Sequence, residues 1–261
     1  MKRAVQSALR RLHLAALRRP LPARVALCFH AVEAEDVERF RECLSYWRAR
    51  GYAFTDAGEF CAPGPGRRLL LSFDDSYQSW LGLLPALDEF GARATFFVNT
   101  CAFRDRAEPR AVEAYFDRIA HRGERRSLAT RELRELAAAG HQVGCHGHSH
   151  TALSRVSREE LGVEIDDSRR LLEAIVERPV RDFAFPFGRR RHFSRALRAH
   201  CLAQGFRSIA SATPGLLYAR SRPDAIQRTP WNFRRDLCGN LDTLRIDARL
   251  VERLTGRTPG I

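Results

Sequence analysis

No stretch of this sequence has the roughly eighteen consecutive apolar residues that a membrane-spanning helix requires, so none is predicted. The seven cysteines stand singly, are odd in number and form no C-x-x-C pair. This pattern argues against a disulfide framework and against the common zinc-binding and redox motifs. It favours free thiols in a reducing compartment, and we therefore predict a cytoplasmic protein.

Acidic residues are absent from residues 1–24, which contain seven basic residues and therefore more than half of the net charge of +13. On a helical wheel Val5, Leu9 and Leu12 share one face, which predicts a basic amphipathic helix. Arginines interrupt the apolar core that a signal peptide needs. Two interpretations stay open: peripheral contact with an anionic membrane on its inner face, or packing against the domain with a solvated basic face. Nucleic acid is not a predicted partner, because no recognition motif accompanies the basic residues.

Strand-like and helix-like stretches alternate from Ala23 onward, which is typical of βαβ units and a parallel sheet. We count about seven strands, and no repeat or low-complexity linker divides the chain. The expected organisation is one α/β domain over residues 25–240. The basic helix at residues 1–24 precedes it, and a C-terminal tail or helix at residues 241–261 follows.

One buried strand ends on two adjacent carboxylates, in the stretch Leu69-Leu70-Leu71-Ser72-Phe73-Asp74-Asp75. Two acids side by side in an apolar setting repel each other and need a cation or a donor. The candidate partners are the imidazoles of His146-Gly147-His148-Ser149-His150. One carboxylate with two imidazoles leaves a coordination position open, as in catalytic metal centres. Each motif has a plainer interpretation when it is taken alone: the two acids as a helix cap, and the histidines as a surface pair. Their occurrence together and in this order favours a metal site.

Polar side chains recur where predicted strands end. Asp74, Asp75, His30 and His146 each follow an apolar run directly. In a βα barrel the carboxyl ends of the strands meet at one rim, so these residues are expected to lie close together there. This convergence favours a barrel over an open sheet.

Several motifs resemble those of the polysaccharide deacetylases. Leu71-Ser72-Phe73-Asp74-Asp75-Ser76 is similar to their T-F-D-D-G motif, and His146 to His150 to their H-T-x-x-H motif. Phe183-Ala184-Phe185-Pro186-Phe187-Gly188 resembles the F-A-Y-P-F/Y-G form of their third motif. The resemblance covers roughly residues 24–232 and includes three further phrases in the expected order: Phe29-His30-x-Val32, Ala94 to Val98, and Gly140 to Gly144.

This resemblance implies a fold, an activity and roles for four residues. The fold is a distorted (β/α)7-type barrel in a single domain, and the activity is metal-dependent removal of acetyl groups from N-acetyl sugars. Asp74 is implied as the catalytic base, and Asp75, His146 and His150 as ligands of a divalent metal ion, with zinc as the first candidate. Amide hydrolysis near neutral pH needs an activated water and a polarised carbonyl, which such an ion supplies.

The sequence departs from the family pattern at four places. Ser76 replaces a glycine, Gly147 a serine or threonine, and Ala184 the arginine that orients the base in many members. The fourth is the C-terminal histidine that many members use as general acid, since no histidine follows His200. Two residues are therefore candidates to protonate the departing amine: His30, and Asp74 after it has accepted a proton from water. His30 has two other interpretations, a substrate contact or a strand-end histidine held by the backbone.

The substrate is the least determined part of the prediction. Phe187, Trp231 and Tyr77 are candidates for stacking on a sugar ring, although core packing explains any single aromatic equally well. The run Arg189-Arg190-Arg191 favours a phosphorylated or acidic glycan, or is simply a solvated loop. The expected partner is an N-acetylated sugar or glycan, with a lipid-linked or cell-envelope intermediate as the hypothesis. The alternative is a catalytically impaired relative that binds glycans or acts as a scaffold.

Overall fold

Nine strands form one sheet within the part of the chain that the computed structural model describes, residues 20–213 and 222–245. They are β1 Arg24–Phe29, β2 Tyr52–Thr55, β3 Arg67–Asp74, β4 Thr95–Val98, β5 Gln142–Cys145, β6 Asp182–Ala184, β7 Ser208–Ser211, β8 Ile226–Gln227 and β9 Thr229–Pro230. Their order is β8-β7-β6-β5-β4-β3-β1-β9, and every pairing is parallel. β2 lies outside this path, beside the first half of β3.

The two ends of the strand order are joined through β8 and β9. β8 pairs with β7, and β9 pairs with β1 at the other end of the order. Only Arg228 separates β8 from β9 in sequence, so this short segment bridges the two edges. The predicted distorted (β/α)7-type barrel is therefore confirmed as a nearly closed barrel of parallel strands.

The helices connect the strands and cover the outside of the barrel. The α-helices are Val37–Arg48, Ala57–Cys61, Leu84–Glu89, Pro109–Arg118, Thr130–Ala138, Arg158–Leu161, Ser168–Val176, Arg195–Ala203 and Leu237–Arg245. A π-helical stretch, Gly162–Asp167, joins two of them. The helix Arg158–Leu161 opens with a capping box, because Ser157 Oγ accepts from the Glu160 amide at 3.2 Å while Glu160 accepts from the Ser157 amide at 2.6 Å.

The strands have an outer and an inner face, as their alternation requires. On the outer face the rings of Phe29, Phe73 and Phe96 stack across β1, β3 and β4, with centroids 5.1 and 4.9 Å apart. The inner face holds a smaller cluster that includes Leu70 and Phe97. Residues of β3 two positions apart share a face, so Asp74 points inward with Leu70 while Phe73 points outward.

Most predicted elements are confirmed, and the differences are at short segments. β2 was not predicted, because four residues that alternate on a half-exposed edge give little signal. β9 is a further two-residue strand that follows β8 directly after Arg228. The helix predicted over residues 1–24 falls largely on residues 1–19, outside the described part of the chain. At the C-terminal end a helix begins at Leu237, and residues 246–261 also lie outside the described residues. Of the helices described, none is long and apolar enough to cross a membrane.

Asp182 at the start of β6 makes the stability of the fold depend on pH. Burial raises the pKa of this carboxyl from 3.8 to about 6, while its Oδ1 accepts from Ser208 Oγ at 2.5 Å. The native state binds the proton more tightly than the unfolded chain, so this contribution is complete below pH 3.8 and is lost as the pH rises through about 6. We expect Asp182→Asn to raise the free energy of unfolding by about 3 kcal/mol at pH 7.5 and to change it little at pH 4.

Urea unfolding at the two pH values checks this expectation. The asparagine keeps an acceptor for Ser208, so the variant removes the charge with little change in packing. Asp88→Asn, on the exposed side of helix Leu84–Glu89, serves as the matched control and should show no such pH-dependent gain. An equal effect of Asp182→Asn at both pH values would contradict the assignment.

Candidate active site

The residues predicted to form the site meet at the carboxyl ends of the strands. Asp74 is the last residue of β3 and Asp75 follows it, while His146 directly follows β5. Asp75 and His150 have φ values of +82° and +54°, a left-handed conformation that side chains other than glycine rarely adopt. Such strain concentrates at functional sites, and here it turns both side chains toward the barrel mouth.

Asp75 and two histidines form a buried cluster. The Oδ1 atom of Asp75 lies 3.4 Å from His146 Nε2 and 3.2 Å from His150 Nε2. The three ligand-type atoms lie within 4.8 Å of one another, and all three residues are buried. The structure therefore brings together the three residues that the sequence offered as metal ligands.

The chemistry of these three groups fits a cation. His146 Nδ1 is 2.8 Å from the Ala184 carbonyl and donates to it, so the Nε2 lone pair faces Asp75. In the described residues no group donates a hydrogen bond to Asp75 Oδ1, although this oxygen is buried. Burial would raise the pKa of Asp75, but the imidazoles of His150 and His146 hold it well below its usual range. Convergent electron pairs without a donor are the arrangement that a divalent metal satisfies.

Two side chains that the sequence analysis missed hold the histidine loop. Asn99, after β4, donates from Nδ2 to the His146 carbonyl at 2.6 Å. Its Oδ1 accepts from Tyr115 OH at 2.9 Å, and this hydroxyl also lies 2.9 Å from the Asp75 carbonyl. The other is Glu164, whose Oε2 accepts from the amides of His148 and Ser149 at 2.9 and 3.0 Å. Glu164 is buried in the π-helical stretch, a distortion that often accompanies functional sites.

Two of the departures from the family pattern have a local explanation. Ser76 has a φ of +58°, which glycine adopts more readily, but its Oγ accepts from the Asn99 amide at 2.8 Å and so fixes the turn. Gly147 has a φ of +80°, and a Cβ there would lie 3.1 Å from the Glu164 carboxylate. His148, between the predicted ligands, points away from them and lies 2.9 Å from Thr100 Oγ1.

Arg228 holds the second carboxylate, Asp74, and was not predicted from the sequence. Its Nη1 and Nη2 donate to the two oxygens of Asp74 at 2.6 and 2.8 Å, and Nη1 also lies 3.1 Å from Ser72 Oγ. The guanidinium is fully buried. Burial would raise the pKa of Asp74, but Arg228 and, to a smaller extent, His146 keep it below its usual value. Asp74 is thus an ionised carboxylate in a fixed orientation, 3.8 Å from His146 Nε2.

Asp74 does not receive its guanidinium from position 184, which is alanine in this sequence. The resemblance drew attention to Ala184 in the third motif, on β6. The guanidinium that contacts Asp74 instead arrives from the segment that closes the barrel, between β8 and β9. Ala184 contributes to the site through its backbone, because its carbonyl accepts a hydrogen bond from His146 Nδ1.

His30 follows β1 and borders the cluster. Its Nε2 lies 3.9 Å from Asp75 Oδ2, and its side chain is 46% exposed. Cys28, two residues earlier, is buried and donates from Sγ to Asp74 Oδ2 at 3.3 Å. His30 therefore lies at the solvent side of the carboxylate pair.

The three predicted substrate aromatics have different positions. Phe187 is 42% exposed and lines the cleft above the cluster, with its ring centroid 4.5 Å from that of His150. Tyr77 also borders the cleft but is 4% exposed. Trp231 is not brought into this cleft: it packs on Phe29 with centroids 6.1 Å apart and borders a smaller pocket.

The cleft itself is large. It has a volume of about 1520 Å³ and is lined by residues of the loops that follow several strands, with Asp74, Asp75, His146 and His150 at its floor. Sites for single small molecules measure about 300–1,000 Å³, so this cleft has room for several sugar rings.

Fold and site define a βα-barrel protein with a candidate metal centre at the carboxyl rim of its strands. The profile of the family described as "Polysaccharide deacetylase" matches residues 62–207, more than half of the chain. The chain belongs to the polysaccharide deacetylase family. No curated protein matches it significantly.

Solved structures share the fold at low sequence identity. The Streptococcus pyogenes deacetylase PplD, in complex with acetate, has 18% identity and a TM-score of 0.67, over 85% of this chain and 97% of that one. IcaB from Ammonifex degensii has 18% identity and a TM-score of 0.63, over 85% and 96%. The deacetylase domain of BpsB from Bordetella bronchiseptica has 17% identity and a TM-score of 0.62, over 81% and 97%.

Proposed function

We propose that this protein is a metal-dependent hydrolase that removes the N-acetyl group from a sugar or glycan. The observation that carries the proposal is the buried convergence of Asp75, His146 and His150 beside an ionised Asp74. Family membership supports the reaction, and the geometry of this chain supports the assignment of residues to it.

Asp75, His146 and His150 would hold the metal. Two imidazole nitrogens and one carboxylate oxygen are the donor set of many catalytic zinc sites, which makes zinc our proposed ion. Burial would lower the pKa of His146, but Asp74 and Asp75 raise it, so the electrostatic field here favours positive charge. A bound divalent ion would activate water and polarise the acetyl carbonyl.

Asp74 and His30 would move the protons. Asp74 is ionised and cannot rotate freely, because Arg228 binds both of its oxygens; we assign it to accept the proton of the attacking water. The hydroxyl of that water joins the acetyl carbon, the C–N bond breaks, and the amine nitrogen takes up a proton. We assign His30 to supply this proton, because it lies at the open side of the site.

For the substrate we propose a lipid-linked or cell-envelope glycan intermediate. Phe187 and Tyr77 are the aromatic residues at the cleft that would contact its sugar rings, while Trp231 lies against the core. All seven cysteines are free thiols, in keeping with the proposed cytoplasmic location. Contact with a membrane surface through residues 1–24 remains part of this proposal, although residues 1–19 lie outside the described structure.

One observation favours a second candidate, a catalytically impaired relative that binds glycans or acts as a scaffold. No histidine follows His200, so the general acid that many family members place near the C-terminus is missing. The candidates differ in one measurable property: both bind N-acetylated glycans, and only the first releases acetate.

Acetate release from a panel of N-acetylated sugars and chitin oligomers tests the proposal. We expect release that a chelator reduces to background and that added zinc restores. His146→Ala should lose both the bound metal and the activity, because it removes a ligand from a buried site. His200→Ala, a histidine bound to Asp166 and outside the cleft, is the matched control and should keep both. Glycan binding without acetate from any substrate would favour the second candidate.

A further inference from the structure

The charges around the cleft are distributed unevenly. Its lining contains seven arginines but only three carboxylates beyond Asp74 and Asp75. These three, Glu33, Glu35 and Asp36, lie together after β1. In the sheet order β3 and β4 separate β1 from β5 and β6, whose loops carry the opposite charge. The loops after β5 and β6 therefore form a basic side with arginines and no carboxylate, while the other four arginines, Arg39, Arg118, Arg122 and Arg234, share the rest of the lining with the three carboxylates.

The basic side consists of Arg155, Arg189 and Arg191, which we call the arginine wall. Arg155 comes from the loop after β5, and the other two come from the loop after β6. Within residues 20–213 and 222–245 none of the three forms an ion pair, whereas Arg39, elsewhere in the lining, lies 3.9 Å from Asp36. Three unneutralised guanidinium groups facing one cleft repel one another, and a bound anion would relieve that repulsion.

The loops that carry the wall are fixed to the barrel and to each other. Ser154 Oγ donates to the Arg191 carbonyl at 3.1 Å and so joins the two loops. Gly188 exchanges backbone hydrogen bonds with neighbouring segments, donating to Phe185 and accepting from Ala212, each at 3.0 Å. A Cβ at Gly188 would lie 2.2 Å from the Ala212 nitrogen, so this turn admits only glycine. The wall is therefore a built surface rather than a loose loop.

Phe187 connects the arginine wall to the candidate metal centre. Its ring lies between His150, at a centroid distance of 4.5 Å, and His192, at 5.1 Å. Its φ of +60° is a strained value for a phenylalanine, and this backbone conformation directs the half-exposed ring into the cleft. The arginine wall continues directly from this ring, because Arg189 and Arg191 lie two and four residues beyond Phe187 in the same loop. A sugar on Phe187 would place its neighbouring unit at the wall.

We propose that the arginine wall binds a negatively charged group, a phosphate or a carboxylate, carried by the glycan one or two sugar units from the acetamido group. This inference rests on the proposed function, since it places that acetamido group at Asp74 and the candidate metal. Guanidinium groups match both anions because their planar N–H donors bind two oxygens at once.

Two tetrasaccharides of equal length test the inference: N-acetylchitotetraose, which is neutral, and a hyaluronan tetrasaccharide, in which N-acetylglucosamine alternates with glucuronate. We expect calorimetric titration of the full chain to show about tenfold or tighter binding of the anionic probe at 50 mM NaCl, with a smaller advantage at 300 mM. N,N′-diacetylchitobiose 1-phosphate against N,N′-diacetylchitobiose, measured in the same way, places a phosphate one sugar unit from an acetamido group and so separates phosphate from carboxylate recognition.

Two double variants test whether the arginine wall causes the tighter binding of the anionic probe. Arg155→Gln with Arg191→Gln should remove most of the advantage of the anionic probe. Arg110→Gln with Arg207→Gln removes the same charge from exposed positions outside the cleft lining and should preserve it. Equal affinity for all probes, or equal loss in both double variants, overturns the inference. Acetate release is followed separately: its absence from every probe would count against the proposed function and leave the binding comparison valid.

Discussion

Replacing Asp74 by asparagine is expected to lower kcat for acetate release by about 10³-fold while leaving the metal bound, a loss within the range for removal of a general base. The amide has the size of the carboxylate, and its oxygen can still accept from Arg228. It cannot take a proton from water, which is the task that we assign to Asp74. The bound metal should persist, because the candidate ligands are Asp75, His146 and His150.

The adjacent residue provides the matched comparison. Asp75→Asn changes the same functional group one position along the chain, and it should lower metal content and activity together. Elemental analysis of the purified variants, followed by initial rates at saturating substrate, distinguishes the two effects. If Asp74→Asn loses its metal as Asp75→Asn does, or keeps most of its activity, the division of roles between the two carboxylates is wrong.

The barrel and the meeting point of the site residues were predictable, because both follow from local pattern and simple topology. Asp74 and His146 each stand directly after a run of apolar residues, which identifies them as strand-end residues. Parallel strands bring such positions to one rim, so contact between residues about seventy positions apart could be expected. The assignment of Asp75 rather than Asp74 to the metal came from the family resemblance, and the two histidine distances support it.

The residues that support the site were not predictable in the same way. Glu164 and Asn99 act through backbone groups of the histidine loop, and no local pattern marks a side chain for that task. Arg228 is one of 44 basic residues, and it stands between two strands too short to give a clear signal. The one indirect signal was Ala184, which stands where many family members have an arginine, because a buried Asp74 without that arginine needs another partner.

The different positions of the aromatic candidates were likewise not predictable from the sequence. Phe187 and Trp231 both follow a proline near a strand end, and the sequence gives no reason to separate them. The strained backbone of Phe187 turns its ring outward into the cleft. The backbone of Trp231 donates to the Cys28 carbonyl at 2.8 Å, which extends the pairing of β9 with β1 and packs the ring against Phe29.

The second large effect is expected in the stability of the fold. Arg228→Met should lower the free energy of unfolding by about 3–5 kcal/mol, the usual cost of removing one partner of a buried ion pair. The guanidinium is fully buried, binds both oxygens of Asp74, and donates from Nε to the Ser211 carbonyl at 3.2 Å. Methionine fills part of the space but leaves the Asp74 charge without its partner and the closure of the barrel without these hydrogen bonds.

A double-mutant cycle separates the charge from the packing. If the lost ion pair dominates, Asp74→Asn should cost much less in the Arg228→Met background than in the wild-type background, because the first change has already broken the pair. Urea unfolding of the four proteins without added metal gives the coupling energy. Additive effects would mean that Arg228 stabilises the protein by closing the sheet between β8 and β9 and not by holding Asp74. Arg228→Lys keeps the charge but loses the paired donors. If this variant has a lower kcat and the coupling energy is large, the residue that closes the barrel also orients Asp74.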